Sequence, residues 1–271
     1  MKYNKVGFIF YNAKRNNDEV IVQLAEAAKR RGLDCAAFSS ETRHIDFPFL
    51  DLESTDVDFA VVLGGDGSVL TASDFASERN IPLLAVNNGR VGFLTSVEIS
   101  SFDSVLDRIL CGDFTIEKKM MLSCTFHEKT LTSLNDFTVY KSNIMNVAQL
   151  AVSIDGTDAG SLFCDGIIVS TPTGSTAYSI SAGGPIIAPG LDVIAVTPVC
   201  PHTLCFKPIV ARADSVIEIK ALSDCVLARA GTAPLNIERG ETLTFKRSSR
   251  TSDFFVFGKD NIYSLIREKL S

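Results

Sequence analysis

Phe59-Ala60-Val61-Val62-Leu63-Gly64-Gly65-Asp66-Gly67-Ser68 decides the architecture of the first half of the chain. The apolar run 59–63 has the character of a strand buried on both faces, and it ends abruptly in glycines. Upstream, Lys5 to Phe10 forms a similar run. Asp18 to Arg31 then spaces Val20, Ile21, Leu24, Ala27 and Ala28 as one helical face, with Gly32 as a stop. Downstream, Ile81 to Val86 is a third apolar run and ends in Asn87-Asn88-Gly89. Strands alternating with helices predict a parallel sheet with helices on its faces, an α/β domain. Such sheets bind ligands beyond the C-terminal ends of their strands, where both glycine clusters fall.

From a helix-like segment around Phe102 to Leu110 onward the pattern changes. Short runs of strand character follow at Met121–Phe126, Phe137–Tyr140, Ala148–Ile154, Ile167–Ser170, Val193–Val196, Val216–Ile219 and Thr242–Phe245, with turn signals such as Asp155-Gly156 and Arg239-Gly240 between them. A mainly β domain is therefore expected over 113–252, after an α/β domain over 1–112. The tail, Asp260 to Leu270, spaces Ile262, Leu265, Ile266 and Leu270 on one helical face, and 253–271 is expected to return to the first domain.

Composition narrows the function. With 271 residues and 46% hydrophobic content the chain can bury a large core. A net charge of −6 argues against a surface built to neutralise nucleic acid, so any phosphate site must be local. No apolar stretch is long enough for a membrane helix, and no signal peptide precedes the first strand, so the cytoplasm is the expected location, with neither nucleic acid nor membrane as partner. Seven scattered cysteines and three histidines make neither a disulfide framework nor a zinc site; the cysteines are expected to be reduced and mostly buried.

Two segments carry chemistry. In Gly64-Gly65-Asp66-Gly67, glycine amides can approach phosphate oxygens, and a helix starting near Ser68 adds its positive end. Asp66 is open to two tasks, general base for an attacking hydroxyl or indirect Mg²⁺ ligand, or it simply satisfies turn amides. A dinucleotide-fold fingerprint fails because Leu70 stands where its last glycine belongs. A Walker A loop fails because Gly258-Lys259 is followed by Asp260 and lacks the upstream glycine. The second segment, Asp165 to Pro189, concentrates the hydroxyls of Thr171, Thr173, Ser175, Thr176, Ser179 and Ser181 around Gly174 and Gly183-Gly184. Hydroxyls and free amides at a strand end suit ribose and diphosphate oxygens, and Tyr178 offers a flat ring face.

Taken in order, Gly-Gly-Asp-Gly (64–67), Asn-x-Gly-Arg-Val-Gly-Phe-Leu-Thr (87–95), Asn135-Asp136, Asp165-Gly166, Thr-Pro-Thr-Gly-Ser-Thr-Ala-Tyr-Ser (171–179) and Thr-Pro-Val-Cys-Pro-His-Thr-Leu (197–204) resemble the NAD kinase family over nearly the whole chain. The resemblance implies a Rossmann-like first domain of the phosphofructokinase and diacylglycerol kinase type, and a mainly β dinucleotide-binding domain. It implies phosphorylation of the adenosine 2′-hydroxyl of NAD, with ATP or polyphosphate as donor and Mg²⁺ arriving with the nucleotide. Asp66 matches the catalytic Asp, with Gly64, Gly65 and Gly67 holding phosphate. Asn135 and Asp136 match a pair on the adenosine part, Asp165 an Asp on the nicotinamide side, and Thr176, Ala177, Tyr178, Ser179, Ile180 and Ser181 a segment that wraps the dinucleotide. A homo-oligomer, dimer or tetramer, is also implied.

Some positions depart from the family. Asp136 replaces a Glu, Phe163 an Arg two residues before Asp165, Thr232 a Gln, and Lys207 an Arg. Phe163 leaves the choice between NAD and NADH open. His202, between Pro201 and Thr203, has either a structural or a catalytic reading. Two rival functions share parts of the pattern: a lipid kinase, which would keep the 64–67 loop but lack the 171–179 hydroxyls, and a non-catalytic dinucleotide sensor, which need not keep Asp66.

Overall fold

A computed structural model describes residues 3–10, 18–42, 44–89, 92–95, 97–202, 206–258 and 266–267. The chain divides into two compact units, one built from 1–118 and 252–271, the other from 119–251.

In the first unit the order is β1 (Lys5–Ile9), α1 (Asp18–Arg30), β2 (Asp34–Ala37), α2 (Ser39–Thr42), β3 (Leu50–Asp51), β4 (Phe59–Gly64), α3 (Asp66–Arg79), β5 (Leu83–Asn87), β6 (Val97–Glu98) and α4 (Phe102–Cys111). Strands β5, β4, β1, β2 and β3 lie side by side in that order, all parallel, and β6 adds to the end of β5. Every residue from Phe59 to Leu63 and from Leu83 to Asn87 is buried, as two covered faces demand. One face carries Phe59, Val61, Leu63, Leu84 and Val86 against Ile21 and Leu24 of α1 and Phe102, Leu106 and Ile109 of α4. Each large side chain enclosed there contributes about 1.5–3 kcal/mol. Helix α3 packs on β4 and β5 through Val69, Ala72 and Ala76, which lie outside that cluster and cover the other face. Between α1 and α4, Arg31 donates to both oxygens of Asp107, at 2.6 and 3.0 Å, and to Asp103 at 2.6 Å, holding the two helices in register.

The second unit is all strand apart from a short helix. Its elements are β7 (Thr115–Phe126), β8 (Lys129–Ser133), β9 (Asp136–Lys141), β10 (Ala148–Ile154), β11 (Thr157–Cys164), β12 (Gly166–Ser170), α5 (Tyr178–Ser181), β13 (Val193–Val199), β14 (Ile209–Arg212), β15 (Ile217–Ala221), β16 (Cys225–Ala228), β17 (Leu235–Ile237) and β18 (Thr242–Val256). The first residues of β7 and the last of β18 belong to the other unit, where Phe254 pairs with Leu83. One antiparallel sheet runs β11-β10-β15-β18-β7-β8, and a second runs β14-β13-β12-β9-β16-β17. Their inner faces enclose one core, with Leu122, Leu150, Val152, Ile219 and Phe245 from the first and Phe137, Val139, Ile167, Val169 and Val196 from the second. Strand β12 is buried on both faces, because α5 and the preceding 3₁₀ turn at Thr173–Thr176 lie over its outer side.

Cys35, Cys124, Cys164 and Cys225 are buried, and Cys111 and Cys200 are exposed. Burial pushes the thiols of Cys35, Cys124 and Cys164 up to about 12, which makes them inert apolar filling. No helix among the described residues is long and apolar enough to cross a membrane. Of the amphipathic tail 260–270, only Ile266 and Arg267 are described, and both are helical; the rest lies outside the described residues, as do Arg90, Val91, Thr203 and Leu204 of the motifs.

Candidate active site

Helix α3 begins at Asp66 directly after β4, with Gly65 as its N-cap. Glycine has no side chain to cap the first-turn amides, so they remain available to an anion, and the helix dipole reinforces the attraction. Gly64 has φ +154°, and a Cβ there would lie 2.8 Å from the Cβ of Ser68 and overlap its hydroxyl, so this junction requires glycine. Gly65 and Gly67 are exposed and have nothing within 4 Å of a Cβ position; their lack of side chains leaves the loop open instead of relieving a clash.

The Asp66 carboxylate does not float in this loop. Phe93 N–H donates to Oδ2 at 2.8 Å and Leu94 N–H to Oδ1 at 3.0 Å. These amides follow Gly92, which is buried and donates to Thr95 Oγ1 at 2.8 Å. A Cβ on Gly92 would coincide with the Asp66 carboxylate, with Cγ 2.5 Å and Oδ2 2.9 Å away and Oδ1 closer still. The glycine is there to let the carboxylate in. Both a turn-satisfying Asp and a reactive one were open from sequence. The partners here come from a loop beyond β5, and each oxygen keeps a further lone pair. Gly92 and the Phe93 and Leu94 amides escaped the sequence reading, which took 87–95 as a recognition motif only.

In the second unit, β9 pairs antiparallel with β12, Asp136 opposite Ser170 and Tyr140 opposite Gly166. At one end of this ribbon, Asn135 accepts from Thr171 N–H at 2.9 Å through its carbonyl. A Cβ on Gly174 would run into that backbone, 2.5 Å from the Asn135 carbonyl carbon and 2.8 Å from its Cα. Among the described residues neither Asn135 Oδ1 nor Ser170 Oγ, both buried, has a hydrogen-bond partner. Desolvation pushes the Asp136 carboxyl up to about 6.

That shift predicts a pH signature. Between about pH 4 and pH 6 folded Asp136 retains a proton that the unfolded chain has released, so stability falls as pH rises through this window and levels off above it. Asp136→Asn is therefore expected to raise stability above pH 6, by up to roughly 3 kcal/mol, and to leave it unchanged near pH 3.5. Thermal midpoints of both proteins across pH 3.5–8 check this; parallel curves would remove Asp136 as the cause.

At the other end of the ribbon, Lys141 Nζ donates to Asp165 Oδ1 at 2.6 Å. Their side chains are 12% and 25% exposed. Asp165, through this hydrogen bond first, holds the Lys141 ammonium above its usual range. Tyr178, at the start of α5, is 42% exposed. Its phenol is raised, mainly by burial and further by the charges of Tyr140, Cys200, Asp165 and Asp136. Asp165 and Asp136 thus both act on Tyr178, from the two ends of the ribbon. Lys141 was not singled out in the sequence, because nothing local marks it.

The hydroxyl cluster divides. Thr171, Ser175 and Ser179 are fully buried. Thr171 Oγ1 donates to Leu134 O at 2.6 Å, Ser175 Oγ to Pro172 O at 2.7 Å, and Ser179 Oγ shares a 3.0 Å hydrogen bond with Thr197 Oγ1. Three of the six hydroxyls thus turn inward to protein partners. The segment has to cover Ile168, and the inward hydroxyls tie it to Leu134, to its own turn and to Thr197 of β13. Thr176 and Ile180 are partly exposed, as is Ala177, and Ser181 is exposed. Phe163 is 47% exposed on β11, and its carbonyl accepts from His202 N–H at 2.8 Å. His202, Lys207 and Thr232 are exposed.

Comparisons with known proteins follow the same division of the chain. The profile of the ATP-NAD kinase N-terminal domain matches residues 7–114, and that of the ATP-NAD kinase C-terminal domain matches 134–256. The chain is 34% identical over 266 residues to an NAD kinase of Caldicellulosiruptor saccharolyticus, spanning 98% of each protein. It is 33% identical over 259 residues to one of Geotalea daltonii, spanning 92% of this chain and 91% of that protein. Among solved structures, yeast NADH kinase complexed with NADH superposes with a TM-score of 0.90 at 23% identity, covering 100% of this chain and 88% of that one. An NAD kinase from Archaeoglobus fulgidus in complex with ATP gives 0.77 at 24% identity, covering 98% of each. At such identities the two structures establish a shared fold.

Proposed function

Because this chain belongs to the NAD kinase family, matching both of its domain profiles in order, we propose that it transfers the terminal phosphoryl group of ATP to the adenosine 2′-hydroxyl of NAD, giving NADP. The observation that carries this reading is Asp66, a carboxylate held by two amides at the mouth of a glycine loop and the start of a helix. An acidic group among phosphate-binding amides repels its ligand unless it acts on it. In this reading the acceptor 2′-hydroxyl donates its proton to Asp66 as its oxygen attacks the terminal phosphorus in line. The new O–P bond forms as the bond to the leaving diphosphate breaks, and ADP departs with no covalent enzyme intermediate. Amides of Gly65, Asp66 and Gly67 hold phosphate oxygens. Among the described residues no group of three His, Cys, Asp or Glu side chains could hold a metal. A divalent cation entering on the triphosphate would neutralise its phosphate oxygens.

In the second unit, Asn135 and Asp136 take the adenosine part, with the open Asn135 Oδ1 as an acceptor for a ligand donor. Asp165 lies on the nicotinamide side, and the exposed face of 176–181 lies along the dinucleotide. The test is an end-point assay pairing ATP or polyphosphate with NAD or NADH and detecting NADP or NADPH. Product with ATP and NAD is expected; a folded protein that gives none with any pair refutes the reading. Since Tyr178 is exposed over the ribbon, Tyr178→Ala should raise the KM for NAD at least about tenfold, the loss expected of an aromatic contact, with the KM for ATP little changed. Equal effects on both substrates would make Tyr178 a packing residue.

A further inference from the structure

The Lys141–Asp165 pair has a consequence for substrate choice that rests on the placement of Asp165 beside the nicotinamide. Oxidised nicotinamide carries a positive charge on its ring and the reduced ring carries none, so a net charge nearby favours one form over the other. A lone carboxylate favours the oxidised ring, and a lone ammonium disfavours it. Here the two charges are 2.6 Å apart and mostly withdrawn from solvent. The ammonium opposes the field of the carboxylate, so the pair acts on a neighbouring ring less than either charge alone would. Among the described residues the other groups acting on Lys141 are the phenol of Tyr140 and the thiol of Cys200, so Asp165 is the one carboxylate among these. Tyr178 adds a phenol that Asp165 also acts on, and Asp136 stands at the far end of the ribbon, five residues of strand from Lys141 or about 17 Å. Exposed Phe163, two residues before Asp165, contributes area and no charge.

We propose that Lys141 sets the redox selectivity of this site: by neutralising Asp165 it makes the enzyme accept NAD and NADH alike, with kcat/KM values within about tenfold of each other. Lys141 acts through Asp165 and is a positioning and charge-compensating residue, not a catalytic one.

The experiment measures kcat/KM for NAD and for NADH, with ATP and magnesium, on the full chain as wild type, Lys141→Met, Lys141→Arg, Asp165→Asn and the double variant Lys141→Met/Asp165→Asn. Uncovering the carboxylate in Lys141→Met should raise the NAD:NADH ratio at least about fivefold, and uncovering the ammonium in Asp165→Asn should lower it by a similar factor. Lys141→Arg, which keeps the charge, and the neutral double variant should both return the ratio to within about twofold of wild type. A merely structural pair would depress both substrates together and leave the ratio fixed in every variant, and that result overturns the proposal. Should Lys141→Met not fold, Asp165→Asn alone decides by the sign of its change. A wild type that already separates the two forms by a hundredfold also overturns it. A wild type that phosphorylates neither form overturns the underlying kinase reading instead, and the proposal with it.

Discussion

Asp66→Asn is expected to lower kcat about 10²–10⁴-fold while NAD still binds, the range over which general bases contribute. The substitution keeps shape and nearly keeps volume, so the loss isolates proton acceptance. It also disturbs one local contact. Phe93 and Leu94 each donate to a different carboxylate oxygen. Asparagine offers one oxygen, and its NH₂ must face the other N–H. One amide then loses its acceptor, at a cost of roughly 1–3 kcal/mol in stability. Turnover, NAD affinity by calorimetry and thermal midpoint measured on one preparation separate the two effects. A moderate fall in the midpoint with NAD affinity intact and turnover collapsed is the expected set; near wild-type turnover would remove Asp66 from the chemistry.

Much of the frame that positions Asp66 was legible because burial on both faces leaves an uninterrupted signal. Phe59–Leu63 and Ile81–Val86 carry no polar residue, and Asp18–Arg30 repeats at helical spacing. Helix α3 was announced only at its start, since its buried side chains are small and partly polar, Ser73 and Ser77 among them. Strand β18 runs 15 residues, of which four were recognised. Its middle, Lys246 to Thr251, is charged and hydroxylated, and backbone pairing holds it with no apolar alternation to betray it. Strand β11, with Asp158, Gly160 and Ser161, was invisible for the same reason.

The site divides along the same physical line. Residue types that suit phosphate and ribose are written in the chain, so Gly64–Gly67 and 171–181 could be marked. Contacts between distant segments are not. Asp66 meets residues 27 and 28 positions away, and Lys141 meets Asp165 only because β9 and β12 pair with Tyr140 opposite Gly166. A shift of that register by one residue would turn Lys141 to the other face. Hydroxyl direction is likewise hidden, since Ser and Thr bond their own backbone as readily as a ligand. Ser175 and Ser179, read in the sequence as part of one hydroxyl cluster, accordingly turn inward to Pro172 and Thr197.

The deepest consequence of those hidden contacts falls on a residue with no chemistry of its own. Gly92→Ala is expected to reduce kcat about a hundredfold or more, because the added methyl would occupy the space of the Asp66 carboxylate. The requirement is steric: the Asp66 carboxylate already fills the space that a Cβ would take. Asp66 is a short side chain on the first turn of α3, so it can yield only by rotating off the Phe93 and Leu94 amides, or by pushing their loop away from β5. Either response abandons the two hydrogen bonds and misplaces the base, and misplacement of a reacting group by 1 Å can cost about a hundredfold. Stability should fall by roughly 1–3 kcal/mol, as for the loss of hydrogen-bonded partners in Asp66→Asn. Because both substitutions act through one carboxylate, their effects on kcat should not multiply. The double variant Gly92→Ala/Asp66→Asn is expected to turn over within about threefold of Asp66→Asn alone. Single-turnover rates for the four proteins complete the cycle. If the two losses multiply, Gly92 supports turnover by another route and the contact with Asp66 is incidental. If Gly92→Ala alone keeps wild-type turnover, the carboxylate position seen here is not the one the reaction uses.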